Sequence, residues 1–296
     1  MKFSMFTKFG ALISPGVFEA IRKGLTKLGH NVTENEMDCD VPVIWSLLWN
    51  GRMLRNKTVW DQFRSKNKNV LVVEVGGIQR NNTWKIALNG INRNGQFGPA
   101  NNTNERAIKL NLQCKPWRTN GDHILLCLQH DKSEQWAQCK PLLDYTLDTI
   151  TELRKYTNRK IIVRQHPRCP LPQFPRLENV EYQIPAMIEN TYDDYDLHFS
   201  NEWAVVSWSS NPGIHAILNG IPAFVGPQSL AYDVANTDFS RIEDPIMPDR
   251  TQWLNDYAFT EWTIEEIAQG TPFSRLTFKP KSNIIMVCIS LPSKPV

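Results

Sequence analysis

Residues 204–226 read AVVSWSSNPGIHAILNGIPAFVG. The triplet Ala204-Val205-Val206 is a short buried strand that empties into Ser207-Trp208-Ser209-Ser210-Asn211-Pro212-Gly213. A helix follows from Ile214 to Asn219, Gly220 stops it, and Pro222 to Gly226 begins the next strand. Strand, helix and strand at this spacing make a βαβ unit, whose strands lie parallel and carry apolar residues on both faces.

The same alternation runs outward. Residues 14–29 predict a helix, with Ser14 as N-cap, Pro15 in its first turn, Val17, Phe18, Ile21, Leu25 and Leu28 on one face, and Gly29 closing it. Val41 to Leu48 and Asn69 to Val75 read as strands around a polar helix at 56–66. A second series holds strands at 124–128 and 160–164, a helix at 141–157, and one or two helices within 250–269. Strands alternating with helices predict an α/β fold of mostly parallel sheet. The break near 105–122 predicts two stacked α/β domains, 1–118 and 119–296. Residues 79–104, with eight asparagines, read as a long ordered loop holding one short strand at 84–88. The final 20 residues find no place in this scheme.

Composition narrows the class. The chain has 296 residues, 41% hydrophobic and 21% charged, within the globular range. No apolar run reaches the roughly 18 residues of a membrane helix. The N-terminus lacks an apolar signal core, and six scattered cysteines without a CxxC pair suit reduced thiols. A cytoplasmic location is the expectation.

Two strand ends carry the chemistry. Ser207, Ser209, Ser210 and Asn211 cluster, with Gly213, where a helix begins, and exposed N–H groups there suit a phosphate. Plain N-capping is the alternative. Arg164-Gln165-His166-Pro167 ends another strand, and Gln129-His130 a third. Ligands of open parallel sheets sit beyond these carboxyl ends. His166 can donate to a phosphate or act as an acid, or be a packed histidine.

His166-Pro167 followed by Ser209-Ser210 before a helix resembles the HP and SS motifs of nucleotide-sugar glycosyltransferases with the GT-B fold, such as bacterial sialyltransferases and capsule-polysaccharide transferases. The resemblance covers about 160–235 and leaves 1–120 uncovered. With segments such as Lys115-Pro116-Trp117-Arg118, Trp253-Leu254 and Trp262-Thr263-Ile264-Glu265-Glu266-Ile267, the chain as a whole also resembles proteins of tailed marine phages, which implies the cytoplasm of a host cell. The glycosyltransferase resemblance implies two Rossmann-like domains that face each other across a cleft, the second binding a nucleotide-sugar co-substrate, with no permanent cofactor and no metal. His166, Ser209 and Ser210 then contact donor phosphate, with Gln129, His130, Arg164, Ser207, Asn211 and Gly213 around them. Asp193, Asp194 and Asp196 are a rival acidic cluster and read as a solvated loop.

An acceptor across the cleft needs a base for its hydroxyl proton. Glu74 is the candidate, because it ends a buried strand and Gly76-Gly77 leave room for a ligand. An ordinary carboxylate paired with Arg80 is the alternative, and Asp38 and Asp40 are weaker choices. Residues 52–118 hold thirteen cations against three acids, in a chain whose net charge is +3. Arg80, Trp84, Lys85, Arg93, Trp117 and Arg118 are the expected acceptor contacts. Interleaved cations and rings suit hydroxymethylpyrimidine in double-stranded phage DNA, and the charge also suits an acidic glycan. A nucleotide-sugar epimerase or a non-catalytic binding protein remains open on the same fold.

Overall fold

The computed structural model describes residues 1–191 and 194–278. In chain order the elements are β1 Lys2–Met5, α1 Ser14–Lys27, β2 Asn31–Glu34, β3 Val41–Trp45, α2 Asn56–Arg64, β4 Leu71–Val75, β5 Thr83–Leu88 and α3 Glu105–Lys109. Then come β6 His123–Cys127, α4 Leu142–Arg154, β7 Lys160–Arg164, β8 Val180–Gln183, β9 Glu202–Ser207, α5 Asn211–Leu218 and β10 Ala223–Val225. The described chain closes with α6 Thr251–Tyr257, β11 Glu261–Thr263, α7 Ile264–Ala268 and α8 Thr271–Ser274.

The strands form two sheets, ordered β11-β5-β4-β3-β1-β2 and β10-β9-β6-β7-β8. The second is parallel throughout; in the first, β1 to β4 are parallel and β5 runs antiparallel to both its neighbours. The α/β class with two mostly parallel sheets is therefore as expected. The βαβ unit at 204–226 supplies β9, α5 and β10, with Phe224 beside Val206 in register. Among the described residues, no helix is long and apolar enough to cross a membrane.

Three expectations are refined. The short strand expected at 84–88 is present as β5, and it is internal to the sheet, between β4 and β11, with every residue of it buried. Hydrogen bonding on both edges explains why so many polar neighbours did not keep it in solvent. The division at 118/119 does not follow the chain, because β11 returns to the first sheet and α7 packs on α1. Trp262 and Phe273 thereby enter the core of Phe3, Ile21 and Trp45. Third, the helical reading of 250–269 is interrupted by β11. The unplaced final stretch lies, but for Thr277 and Phe278, outside the described residues.

Arg106 explains how the return is held. Its guanidinium donates to the carbonyl oxygens of Ala258 and Glu261, each at 2.6 Å, and to both Glu266 oxygens at 2.7 and 2.9 Å. It also lies 4.0 Å over the Trp262 ring. This planar fork satisfies four acceptors at once, which a lysine does not match. A cation counted toward the acceptor surface is thus a buried staple.

Candidate functional site

The carboxyl ends of β6, β7 and β9 deliver Gln129, His130, His166, Ser209 and Ser210 to one cavity of about 240 Å³. Glu74, Arg80 and Lys85 of the first sheet line the same cavity, as does Asn211 at the start of α5. A second cavity of about 230 Å³ adjoins it, lined by Cys127, Arg164, Pro185 and Tyr195. Arg80, His166, Ser210 and Asn211 line both and form the wall they share. Larger grooves of about 820 and 670 Å³ lie elsewhere, around Trp117 and around Phe97. Neither contains a histidine, and neither lies at the carboxyl ends of parallel strands, so size alone does not mark the site.

The two histidines are built alike. Lys132 N–H donates to His130 Nδ1 at 3.2 Å, and Arg168 N–H donates to His166 Nδ1 at 3.2 Å. His166, when neutral, therefore carries its proton on Nε2, whereas His130 has Asp131 Oδ1 3.4 Å from Nδ1 and the Asn50 amide nitrogen 3.3 Å from Nε2. The rings stand edge to face with centroids 5.4 Å apart. Burial, then the neighbouring His130 and Arg168, pushes His166 down to about 4. His130 is also lowered, chiefly by burial. At neutral pH both are uncharged N–H donors rather than cations.

The hydroxyl cluster divides into separate tasks. Ser209 N–H and Oγ–H both donate to Gln129 Oε1 at 3.0 Å, and Gln129 Nε2 donates to Ser133 Oγ at 3.2 Å. Ser209 and Gln129 thus hold the turn in shape. Ser210 Oγ is buried at the cavity wall with no hydrogen-bond partner, so its O–H can donate to a ligand oxygen. Ser207 Oγ is also unpartnered but lies under α5, where a Cβ on Gly213 would come within 2.4 Å of it. Ser207 and Gly213, both expected as donor contacts, therefore set the helix approach and line neither cavity. The indole N–H of Trp208 donates to Gln135 O at 3.0 Å. Arg164 is buried and faces the second cavity, with its pKa lowered by burial.

Glu74 sits in a row across four strands. Ser46 follows β3 and donates Oγ–H to Glu74 Oε2 at 2.5 Å, and Val75 N–H donates to Oε1 at 2.8 Å. Lys85 is opposite Glu74 on one side and Glu261 on the other. Lys85 is 4% exposed, and burial lowers its pKa against the pull of Glu261 and Glu74. Glu261 accepts from Gly77 N at 2.7 Å, Ile78 N at 2.9 Å and Thr83 Oγ1 at 2.8 Å. The glycines do not leave room for a ligand. A Cβ on Gly76 would meet Thr83 O at 2.3 Å, and one on Gly77 would meet the Asn211 amide at 2.8 Å. They let the first sheet's loop close onto Glu261 and onto α5.

Four expected acceptor contacts lie away from this cavity. Trp84 is a core ring, 7% exposed, because β5 is internal. Arg93 pairs with Asp233 at 3.0 Å and stacks on Tyr232. Trp117 donates to Pro248 O at 3.0 Å under the Arg250 guanidinium. Arg118 donates to Ser200 O at 3.1 Å. Sequence reading missed Ser46, Glu261 and Arg168; for Glu261 no local pattern pointed there, since its partners are about 180 residues away. Asp194 lines the second cavity, whereas Asp193 lies outside the described residues.

No protein-family model matches the chain, and no curated protein matches its sequence. Two solved structures from Thermosulfurimonas dismutans are similar to it. One is KpsC β-Kdo 2,4 transferase, at 12% identity and TM-score 0.48 over 88% of this chain and 90% of that one. The other is KpsC β-Kdo 2,7 transferase, at 12% identity and TM-score 0.48 over 93% of this chain and 100% of that one. A likeness at that identity and score bears on neither reaction nor substrate.

Proposed function

We propose that this chain is a glycosyltransferase that moves a sugar from a nucleotide-sugar donor to a hydroxyl acceptor. One observation carries the reading: Glu74 of the first sheet and His130, His166 and Ser210 of the second line a single cavity. The nucleotide occupies the adjoining cavity beside Arg164, with its phosphate at the shared wall. There the Nε2–H of His166 and the Ser210 hydroxyl donate to phosphate oxygens, and their bonds strengthen as the leaving phosphate gains charge. The new bond joins the acceptor oxygen to the anomeric carbon as the carbon–phosphate oxygen bond breaks. Glu74, oriented by Ser46, takes the acceptor proton.

The acceptor reading shifts toward a glycan hydroxyl. An extruded hydroxymethylpyrimidine needs a ring to stack on. The rings expected for that task, Trp84 and Trp117, are a core residue and a residue of another groove. Modified DNA stays as the second reading because Arg52 and Arg55 are exposed on either side of Met53, which lines the cavity.

The test incubates the full chain with a panel of nucleotide sugars and either oligosaccharides or hydroxymethylpyrimidine DNA, and reads mass gain. Gain on glycan that is lost in His166→Ala supports the reading. Isomerised donor without acceptor would mark an epimerase, and binding without turnover of any donor would sink the enzyme assignment.

A further inference from the structure

We propose that His130, Asp131 and Cys169 form a binding site for one divalent cation of the zinc class, beside the cleft and independent of the glycosyl-transfer reading. Their ligand atoms all lie within 4.8 Å of one another. His130 Nδ1 is 3.4 Å from Asp131 Oδ1, and Cys169 Sγ is 3.4 Å from the same oxygen. Zinc bonds of about 2.1 Å to nitrogen or oxygen and 2.3 Å to sulfur, at tetrahedral angles, give ligand edges of about 3.4 to 3.6 Å. The two edges that meet at Asp131 Oδ1 therefore have the length of tetrahedral edges around one ion, and the third, from His130 to Cys169, lies within 4.8 Å.

The protonation pattern agrees. A bound ion takes the Nδ1 lone pair of His130 in place of the long Lys132 N–H contact. The Cys169 thiol already points at the carboxylate, and binding replaces its proton, which leaves to solvent. Thiolate and carboxylate together carry two negative charges, which a divalent ion neutralises. Asp131 Oδ2 stays with Lys132 Nζ at 3.3 Å, and the Asn50 side-chain amide lies 3.3 Å from His130 Nε2. Such outer contacts orient metal ligands. Three protein ligands leave a fourth position for water or a substrate oxygen.

Position gives the site a consequence. His130 follows β6, and Cys169 follows β7, where its N–H donates to His166 O at 2.9 Å. A bound ion would tie the two loops that carry the cleft histidines. A sulfur-nitrogen-oxygen set favours zinc over magnesium or calcium, which prefer oxygen alone.

Cobalt(II) is the probe, added to the full chain after chelator treatment. The expected result is one equivalent bound, with the intense visible bands of tetrahedral cobalt and a thiolate charge-transfer band, both displaced by zinc. In Cys169→Ser the charge-transfer band disappears and zinc affinity falls at least as far as the roughly 100-fold seen on loss of outer-shell partners. Asp131→Asn, which keeps the thiol, weakens zinc while retaining the band. Far-UV circular dichroism checks that each variant is folded. No band in the folded wild type, or an unchanged band in Cys169→Ser, overturns the proposal.

Discussion

His166 and His130 stand edge to face at 5.4 Å, each with Nδ1 capped by the backbone N–H two residues on. Adjacent parallel strands thus hold two neutral imidazole donors in the same way. If these donors bind the leaving phosphate, His166→Ala lowers kcat/KM by about 100-fold or more, the range of a lost transition-state donor. His166→Asn, which keeps an N–H donor, recovers part of that loss. Steady-state kinetics on the donor found in the panel assay checks both.

The depressed His166 pKa gives a pH signature. The ring titrates near 4 when folded and near 6.5 when unfolded. Above 6.5 neither state binds the proton, so His166 costs nothing there. As pH falls from 6.5 toward 4, the unfolded chain binds the proton first and stability drops. His166→Asn removes this part of the loss, so its urea midpoint falls less between pH 7 and pH 5 than that of the wild type. Equal falls in the two proteins would mean that His166 is not the buried neutral ring described above.

Gly77 and Asn211 give the second structural prediction. Gly77→Ala places a methyl 2.8 Å from the Asn211 amide, between the first sheet's loop and α5. Overpacking of this kind costs about 1–3 kcal/mol. Because the displaced Asn211 lines both cavities, turnover falls as well. Gly16→Ala is the control: it lies within α1 with nothing inside 4 Å of the new methyl, and a helical glycine-to-alanine change adds about 0.5–1 kcal/mol. Denaturant melts of the two variants should move in opposite directions.

What the sequence made legible follows from range. The βαβ unit at 204–226 and the polar ends of β6, β7 and β9 are local signals, since apolar runs and caps act within one turn or strand. They predicted the second sheet and the gathering of His130, His166 and Ser210. The row Ser46–Glu74–Lys85–Glu261 is not local, because β11 supplies Glu261 from far along the chain. The cations of 52–118 looked alike in sequence, yet Arg106 is a staple, Arg93 a surface pair and Lys85 a buried cleft residue. Charge counting cannot separate these, because burial is decided by sheet neighbours.

The acceptor assignment is tested where sequence and structure part. Arg93→Ala and Trp117→Ala alter residues that line other grooves and not the cavity. Each should leave kcat/KM within about two-fold, while Trp117→Ala loses its packing on Arg250 and melts earlier. A ten-fold or greater rise in KM for the acceptor in either variant would restore that surface as the acceptor site.

Arg106 and Glu266 determine whether the returning strand stays docked. The pair is 8% and 11% exposed, with N–O at 2.7 Å, and Thr263 and Glu266 complete a capping box at α7. Burial alone would raise the Glu266 pKa, but Arg106, Lys109 and the Thr263 N–H hold it at about 2. A depressed carboxylate contributes its stability above the unfolded value near 4.5 and loses it as pH falls toward 2. Glu266→Gln removes that contribution and leaves the buried guanidinium short of its charged partner, a loss of about 3–5 kcal/mol at pH 7. Arg106→Lys cannot reach the Ala258 and Glu261 carbonyls and both Glu266 oxygens together, so it also destabilises. Since Glu261 anchors the Gly77 loop that packs on Asn211, unfolding of this staple should reach the cleft. Hydrogen exchange in Glu266→Gln should therefore quicken at Gly77 and Ile78 as well as at β11; acceleration confined to α7 would show that the returning strand and the site are not coupled.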